Sequence, residues 1–113
     1  MARTKITGYQ YDFRNTAAEN VAIIMLTNKD KLVSMLAFID HDKQELPPPR
    51  EGLNGVVYVS YRYKWLSDII DMLRNEKPVY FSWSRAEQNA IITTGEEPIG
   101  EEEYKGFLKR LFG

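Results

Sequence analysis

The chain has 113 residues, of which 43% are hydrophobic and 27% charged, a composition typical of one folded domain and not of a disordered protein. Its formal net charge of −1 provides no overall positive field for nucleic acid, and the absence of cysteine excludes disulfides, zinc–thiolate sites and iron–sulfur clusters. No apolar run approaches the ~20 residues of a membrane-spanning helix. We therefore expect a soluble cytoplasmic protein whose single domain spans residues 1–113.

Six segments have the pattern of β-strands, in chain order residues 3–13, 21–27, 32–40, 56–63, 78–84 and 90–94. The first alternates between aromatic and polar residues, so it should present one aromatic face through Tyr9, Tyr11 and Phe13. The second and third are more continuously apolar, which indicates central strands, and the short polar loop between them predicts a hairpin. The third is also compatible with a helix, because leucine, methionine and alanine are good helix formers.

Two segments have the apolar spacing of amphipathic helices. The first covers residues 65–75 and ends before Pro78, because the residue preceding a proline is disfavoured in the helical region. The second covers residues 101–113, with three glutamates at its start and two cations near its end, as the helix dipole favours. The apolar stripes are Leu66, Ile69, Ile70 and Leu73 in the first helix and Tyr104, Phe107, Leu108, Leu111 and Phe112 in the second.

Residues 46–50 contain three consecutive prolines and therefore favour a polyproline II conformation that cannot continue a sheet ladder. This segment could serve as a rigid spacer or as a peptide that another protein recognises. The hairpin predicted near the end of the chain is centred on residues 85–88, between the last two strands.

The resulting element order is β-β-β-β-α-β-β-α. Because sequential strands usually pair and no βαβ alternation runs along the chain, we expect an α+β fold with one twisted, mainly antiparallel sheet of about six strands. Both helices would pack on one face of this sheet. The other face would remain open to a ligand or to a second subunit.

Aromatic and basic residues are concentrated in the second half of the chain. The candidate binding or interface residues are Tyr58, Tyr61, Arg62, Tyr63, Trp65, Tyr80, Trp83 and Arg85. Aromatic rings beside arginine on a sheet face can stack and hold single-stranded nucleic acid. The order of four strands and a helix also resembles the Whirly type of single-strand-binding domain. Strand aromatics more commonly serve a core or a subunit interface, which is the interpretation we prefer.

Other motifs give no chemical site. The only histidine lies in Asp40-His41-Asp42, and without a second histidine or a cysteine this trio is more typical of a turn than of a metal site or an oriented base. The glutamates that begin the second helix lack the spacing of a calcium-binding loop. Residues 94–100 contain proline and glycine but no Gly-Lys-Ser/Thr motif for phosphate. We therefore expect no catalytic residue, no metal and no cofactor.

Three stretches of the chain resemble small single-domain bacterial proteins of unknown function. They are Gly-Tyr-Gln-Tyr at residues 8–11, Asp-Met-Leu-Arg-Asn-Glu-Lys-Pro-Val-Tyr-Phe at residues 71–81, and Thr-Gly-Glu-Glu-Pro-Ile-Gly-Glu-Glu at residues 94–102. The resemblance implies a bacterial source. It implies no activity, cofactor or site residue.

These features predict a binding or assembly module that is not an enzyme and that forms a homodimer. We predict a homodimer because the aromatic strands and the terminal helix carry more apolar surface than the core of one small sheet needs to bury. The alternative is a single-stranded nucleic-acid-binding protein that uses the aromatic and basic residues. A third hypothesis, a small enzyme with a carboxylate-and-tyrosine site, would require a pocket that holds a carboxyl group of raised pKa.

Overall fold

The computed structural model describes residues 3–14, 20–40 and 45–95. In chain order the elements are β1 (Arg3–Ile6), β2 (Gly8–Phe13), β3 (Asn20–Asn28), β4 (Lys31–Ile39), β5 (Arg50–Glu51), β6 (Val57–Arg62), a 3₁₀ turn (Tyr63–Trp65), α1 (Leu66–Asn75), β7 (Val79–Ser84) and β8 (Asn89–Thr94). This part of the chain is α+β, with mainly antiparallel strands. Among these residues, no helix has both the length and the apolar character needed to cross a membrane.

The strands form two sheets. The larger sheet has the order β2-β3-β4-β6-β5, and the smaller has the order β1-β7-β8. All neighbouring strands are antiparallel except β4 and β6, which run parallel. The predicted single sheet of about six strands with two helices on one face is therefore wrong. The described residues contain the one α-helix α1, and the helix predicted over residues 101–113 lies outside them.

A bend at Thr7 accounts for the two sheets, because it divides the predicted first strand into β1 and β2. β1 pairs with β7, whereas β2 pairs with β3. The β3–β4 hairpin holds the bend: the Thr7 N–H donates to the Thr27 carbonyl at 2.8 Å, and the Lys29 N–H donates to the Thr7 hydroxyl at 2.7 Å. The two halves of one alternating segment thus belong to different sheets.

One hydrophobic cluster joins both sheets and α1. Its buried members are Ala22, Ile24, Leu26, Leu36, Phe38, Val57, Val59, Leu66, Ile69 and Phe81. Alternate residues of β3, β4 and β6 supply most of the cluster, because successive side chains of a strand point to opposite faces of the sheet. Burial of this apolar surface is the main term that favours folding.

Both predicted hairpins are confirmed. β3 and β4 are joined by Lys29 and Asp30, whose φ angles of 49° and 67° are the positive values that tight hairpin turns require. β7 and β8 are joined by residues 85–88. The helix predicted over residues 65–75 is confirmed as α1. Residues 32–40, whose sequence is compatible with a strand or a helix, form strand β4 between β3 and β6.

The proline-rich segment lies in the connection between the two parallel strands. A chain that leaves β4 must return along the sheet before it can enter β6 in the same direction. Residues 46–49 belong to this return and lie outside the strands, as their prolines predict. β5 follows immediately and pairs with β6 at the edge of the larger sheet.

Candidate functional site

Two of the eight residues singled out from the sequence pack against the core. The ring of Tyr61 stacks on Phe38 with 5.7 Å between ring centroids, and burial raises the pKa of the Tyr61 phenol. Trp83 packs against the same hydrophobic cluster, and its indole Nε1 is buried without a hydrogen-bond partner in the described residues. Both side chains therefore pack against the hydrophobic cluster.

Two more of these residues contact arginines within their own sheets. The guanidinium of Arg50 on β5 lies 4.9 Å from the ring centroid of Tyr58 on β6. The guanidinium of Arg3 on β1 lies 4.2 Å from the ring centroid of Tyr80 on β7. Each is a cation–π contact between neighbouring strands, so Tyr58 and Tyr80 hold basic side chains at two separate places.

The other four lie at the surface or partly buried. Arg62 shares a face of β6 with Tyr58, and the 3₁₀ turn that follows presents Tyr63 and Trp65, which are 39% and 50% exposed. Arg85 lies in the loop between β7 and β8 and forms an ion pair with Glu51 of β5. Five of the eight residues therefore lie on β6 and the 3₁₀ turn, with Tyr58 and Arg62 on the opposite face of β6 from Tyr61. The other three, Tyr80, Trp83 and Arg85, belong to the smaller sheet and its loop. The nucleic-acid hypothesis stays a prediction.

The edge strand β2 carries an aromatic row that the candidate set did not include. Within the described ranges β2 pairs with β3 alone, so its other side is an edge of the larger sheet. Tyr9 and Tyr11 stack with 6.4 Å between centroids, and Phe13 meets Tyr11 edge-on at 5.6 Å. Tyr11 is 37% and Phe13 61% exposed. We call β2 with these three rings the aromatic edge.

A pocket of about 740 Å³ lies at the junction of the two sheets. It is formed by residues 5–9 at the bend, by the end of α1 and by the start of β7. Its charged residues are Lys5, Arg74, Glu76 and Lys77, and its apolar and aromatic residues include Ile6, Tyr9, Leu73, Pro78, Val79 and Tyr80. We call this the junction pocket.

Local hydrogen bonds fix the wall that the bend contributes. The side-chain amide of Asn28 donates to the carbonyl of Lys5 at 2.7 Å, which ties β1 to the hairpin. A Cβ at Gly8 would lie only 2.9 Å from the hydroxyl oxygen of Thr27, so a larger residue there would require the Thr27 side chain to shift. The backbone of β2 therefore approaches β3 closely where it enters the pocket.

The opposite wall is the C-terminal end of α1. The Glu76 N–H donates to the Met72 carbonyl at 3.0 Å, and Pro78 then prevents further helix. The Gly95 N–H donates to the Pro78 carbonyl at 3.2 Å, which attaches the end of β8 to the same wall. Hydrogen bonds to other elements thus hold both walls.

The charge in the junction pocket is opposite in sign to that of the whole chain. Among the described residues, three cations and one carboxylate line it, a formal net charge of +2 beside the chain's −1. A hydrogen bond to Tyr9, with charge interactions with Tyr9 and Tyr11, raises the pKa of Arg74 above its already high ordinary value. The guanidinium therefore stays charged beside the two tyrosines of β2.

No group of three or more histidine, cysteine, aspartate or glutamate residues in the described ranges could hold a metal ion. The Asp40-His41-Asp42 segment lies partly outside those ranges, and the glutamates of residues 96–103 lie wholly outside them. Comparison with protein families, with curated proteins and with solved structures found no match. The function is therefore argued from the geometry of the chain itself.

Sequence reasoning missed the junction pocket because its cations come from distant positions. Lys5 is separated from Arg74 and Lys77 by most of the described chain, and only the pairing of β1 with β7 brings these segments together. The single available signal was the Glu-Lys-Pro sequence at residues 76–78, which marks the end of a helix and not a binding site.

Proposed function

We propose that the protein is a binding and assembly module, not an enzyme, and that it forms a homodimer through the aromatic edge. The observation that carries this proposal is the exposure of Tyr11 and Phe13 on an edge strand. Backbone N–H and C=O groups on such an edge are available to pair with another strand. Natural edge strands are usually protected by lysine, proline or a bulge, and residues 8–13 contain no lysine or proline.

The sequence of β2 is suited to pairing with a second copy of itself. In an antiparallel pair about a two-fold axis at Tyr11, Tyr9 lies opposite Phe13 of the second copy, and both point to the same face. Gln10 then lies opposite Asp12 of the second copy on the other face, so no two like charges meet. The six rings form one continuous row across the axis. Aromatic cross-strand pairs are among the favourable ones in sheets.

Sedimentation equilibrium of the full chain at micromolar concentration tests the dimer. We expect twice the monomer mass of 13.2 kDa. Phe13→Lys removes an exposed ring and adds a charge to the edge, so it should weaken the dimer roughly tenfold or more. The matched control is Ile91→Lys, because Ile91 is 39% exposed on β8 at the edge of the other sheet.

The control variant should keep the dimer. A wild-type chain that sediments as a monomer would contradict the proposal. So would equal weakening by both substitutions, because that result would indicate a general effect of added charge. The melting temperature of each variant separates loss of association from loss of folding.

A further inference from the structure

The junction pocket has the size and shape of a site for a small organic molecule. Its volume of about 740 Å³ falls within the range of roughly 300–1,000 Å³ typical of ligand pockets. It is also placed where two sheets and a helix end meet, so its walls come from three elements and not from one mobile loop.

The charges at its rim favour an anion. Lys5 contributes a cation from β1, and Arg74 and Lys77 contribute two from the last turn of α1 and the residues after it. In the part of the chain that the structure describes, Glu76 is the one carboxylate that opposes them. The C-terminal end of a helix carries roughly half a unit of negative charge, which opposes an anion. A formal net charge of +2 on the described lining side chains exceeds this term, so these side chains attract negative charge.

The inner surface favours a flat apolar body attached to that charge. Leu73, Pro78 and Val79 supply aliphatic surface, and Tyr9 and Tyr80 supply two aromatic rings. The guanidinium of Arg3, 4.2 Å from the ring centroid of Tyr80, adds a further cation next to the pocket lining. Pockets that bind organic ligands commonly combine mostly apolar walls with a few charged groups that fix the orientation of the ligand.

We propose that the junction pocket binds a small organic anion with a flat apolar body, such as an aromatic carboxylate. The negative group would lie between Arg74 and Lys77, where guanidinium and ammonium donors can make charge-assisted hydrogen bonds. The ring would lie against Tyr80 and the aliphatic wall. This site shares Tyr9 with the aromatic edge, whereas Lys5, Arg74, Lys77 and Tyr80 lie outside β2.

Isothermal titration calorimetry of the full chain with 2-naphthoate tests the proposal. Two matched compounds separate the contributions: 2-naphthylmethanol keeps the rings without the charge, and acetate keeps the charge without the rings. We expect 2-naphthoate to bind at least tenfold more tightly than either, an effect of the size expected for one charge-assisted hydrogen bond. Its affinity should also fall as salt is added.

Two substitutions locate the anion. Arg74→Gln and Lys77→Gln should each weaken 2-naphthoate by about tenfold while leaving the affinity for 2-naphthylmethanol unchanged. Lys64→Gln is the matched control, because Lys64 is an exposed cation before the other end of α1, and it should bind as the wild type does. Lys77 is also exposed, so Lys77→Gln decides the question if Arg74→Gln disturbs folding through its contact with Tyr9.

Three results would overturn the proposal: no heat of binding with 2-naphthoate, equal affinity for the alcohol, or equal weakening by Lys64→Gln. The first would show that the pocket does not take this class of ligand. The second would show that the cations do not select charge. The third would show that the anion responds to the overall charge of the chain and not to this pocket.

Discussion

At the scale of single residues, the described part of the chain buries few polar side chains, and Ser34 and Trp83 show two different outcomes for such groups. Ser34 is fully buried on β4, and its hydroxyl donates to the Val57 carbonyl at 2.8 Å, which ties β4 to the parallel strand β6. Trp83 is the contrasting case, since its indole N–H is buried without a partner in the described residues. An unpaired buried donor costs about 1–3 kcal/mol, so the packing of the indole must offset this term.

Tyr61 provides a prediction about pH. Burial raises its pKa above the ordinary value of 10.0, so the folded protein holds this proton more tightly than the unfolded chain does. The stabilisation is complete below the unfolded-state pKa and is lost as the pH rises through the folded-state pKa. We expect the free energy of unfolding to fall more steeply between these two pKa values in the wild type than in Tyr61→Phe. Urea unfolding at neutral and at alkaline pH measures the difference.

A wild-type protein and a Tyr61→Phe variant with parallel alkaline profiles would contradict this explanation. The comparison between the two proteins removes the contribution of the other titrating groups, because these are the same in both. A difference in stability that is already present at neutral pH reports packing against Phe38 and not proton binding.

At the scale of elements, α1 shows how far an amphipathic pattern determines packing. Its apolar stripe faces the core: Leu66 and Ile69 are buried, and Ile70 and Leu73 pack against the cluster with part of their surface exposed. The helix begins directly after the 3₁₀ turn and has no side-chain cap at its start. A ten-residue helix is marginal by itself in water, so its stability comes from this buried face.

Ile69→Ala tests the contribution of that face. Removing three buried carbon atoms from a packed position should lower the free energy of unfolding by about 2–4 kcal/mol. Denaturant titration followed by circular dichroism provides the measurement. Ser67→Ala is the control on the exposed side of the same helix, and it should change stability by less than about 0.5 kcal/mol. Equal effects of the two substitutions would show that α1 is not held by its apolar stripe.

At the scale of the whole molecule, the two sheets depend on each other. β1 and β2 are successive parts of one segment, and each is an edge or end strand of a different sheet. A change that unfolds this segment would therefore disrupt both sheets. The same bend forms one wall of the junction pocket and continues into the aromatic edge. The proposed small-molecule site and the proposed dimer contact therefore rely on the correct folding of residues 3–13.

Deletion of residues 101–113 tests whether the rest of the chain folds independently. The five apolar side chains of the predicted terminal helix would contribute roughly 8–15 kcal/mol as a gross upper limit if buried, most of it offset by chain ordering. Because small domains are stable by only about 5–15 kcal/mol, we expect the deletion to abolish cooperative unfolding in a thermal melt. A truncated chain that keeps its melting temperature would contradict this and show that residues 1–100 suffice.

Particular elements show what could be predicted from the sequence. The residues of β4, β6, β7 and α1, and the two hairpin loops, follow from local patterns of apolar spacing and turn residues. Residues 3–13 were correctly predicted to be extended, but the bend at Thr7 was not predicted. Thr7 is neither glycine nor proline, and its bend depends on the hydrogen bond that its N–H donates to the Thr27 carbonyl and on the one that its hydroxyl accepts from the Lys29 N–H.

The sequence by itself determined the extent of α1 and of most strand segments, and which of their faces are apolar, because these properties repeat over a few neighbouring residues. Only the tertiary structure decided that β1 joins β7, that β4 and β6 run parallel, and that Lys5 lies in one pocket with Arg74 and Lys77. Strand pairing uses backbone groups that every residue except proline carries in full. The choice of partner therefore depends on packing between distant segments, which local periodicity does not encode.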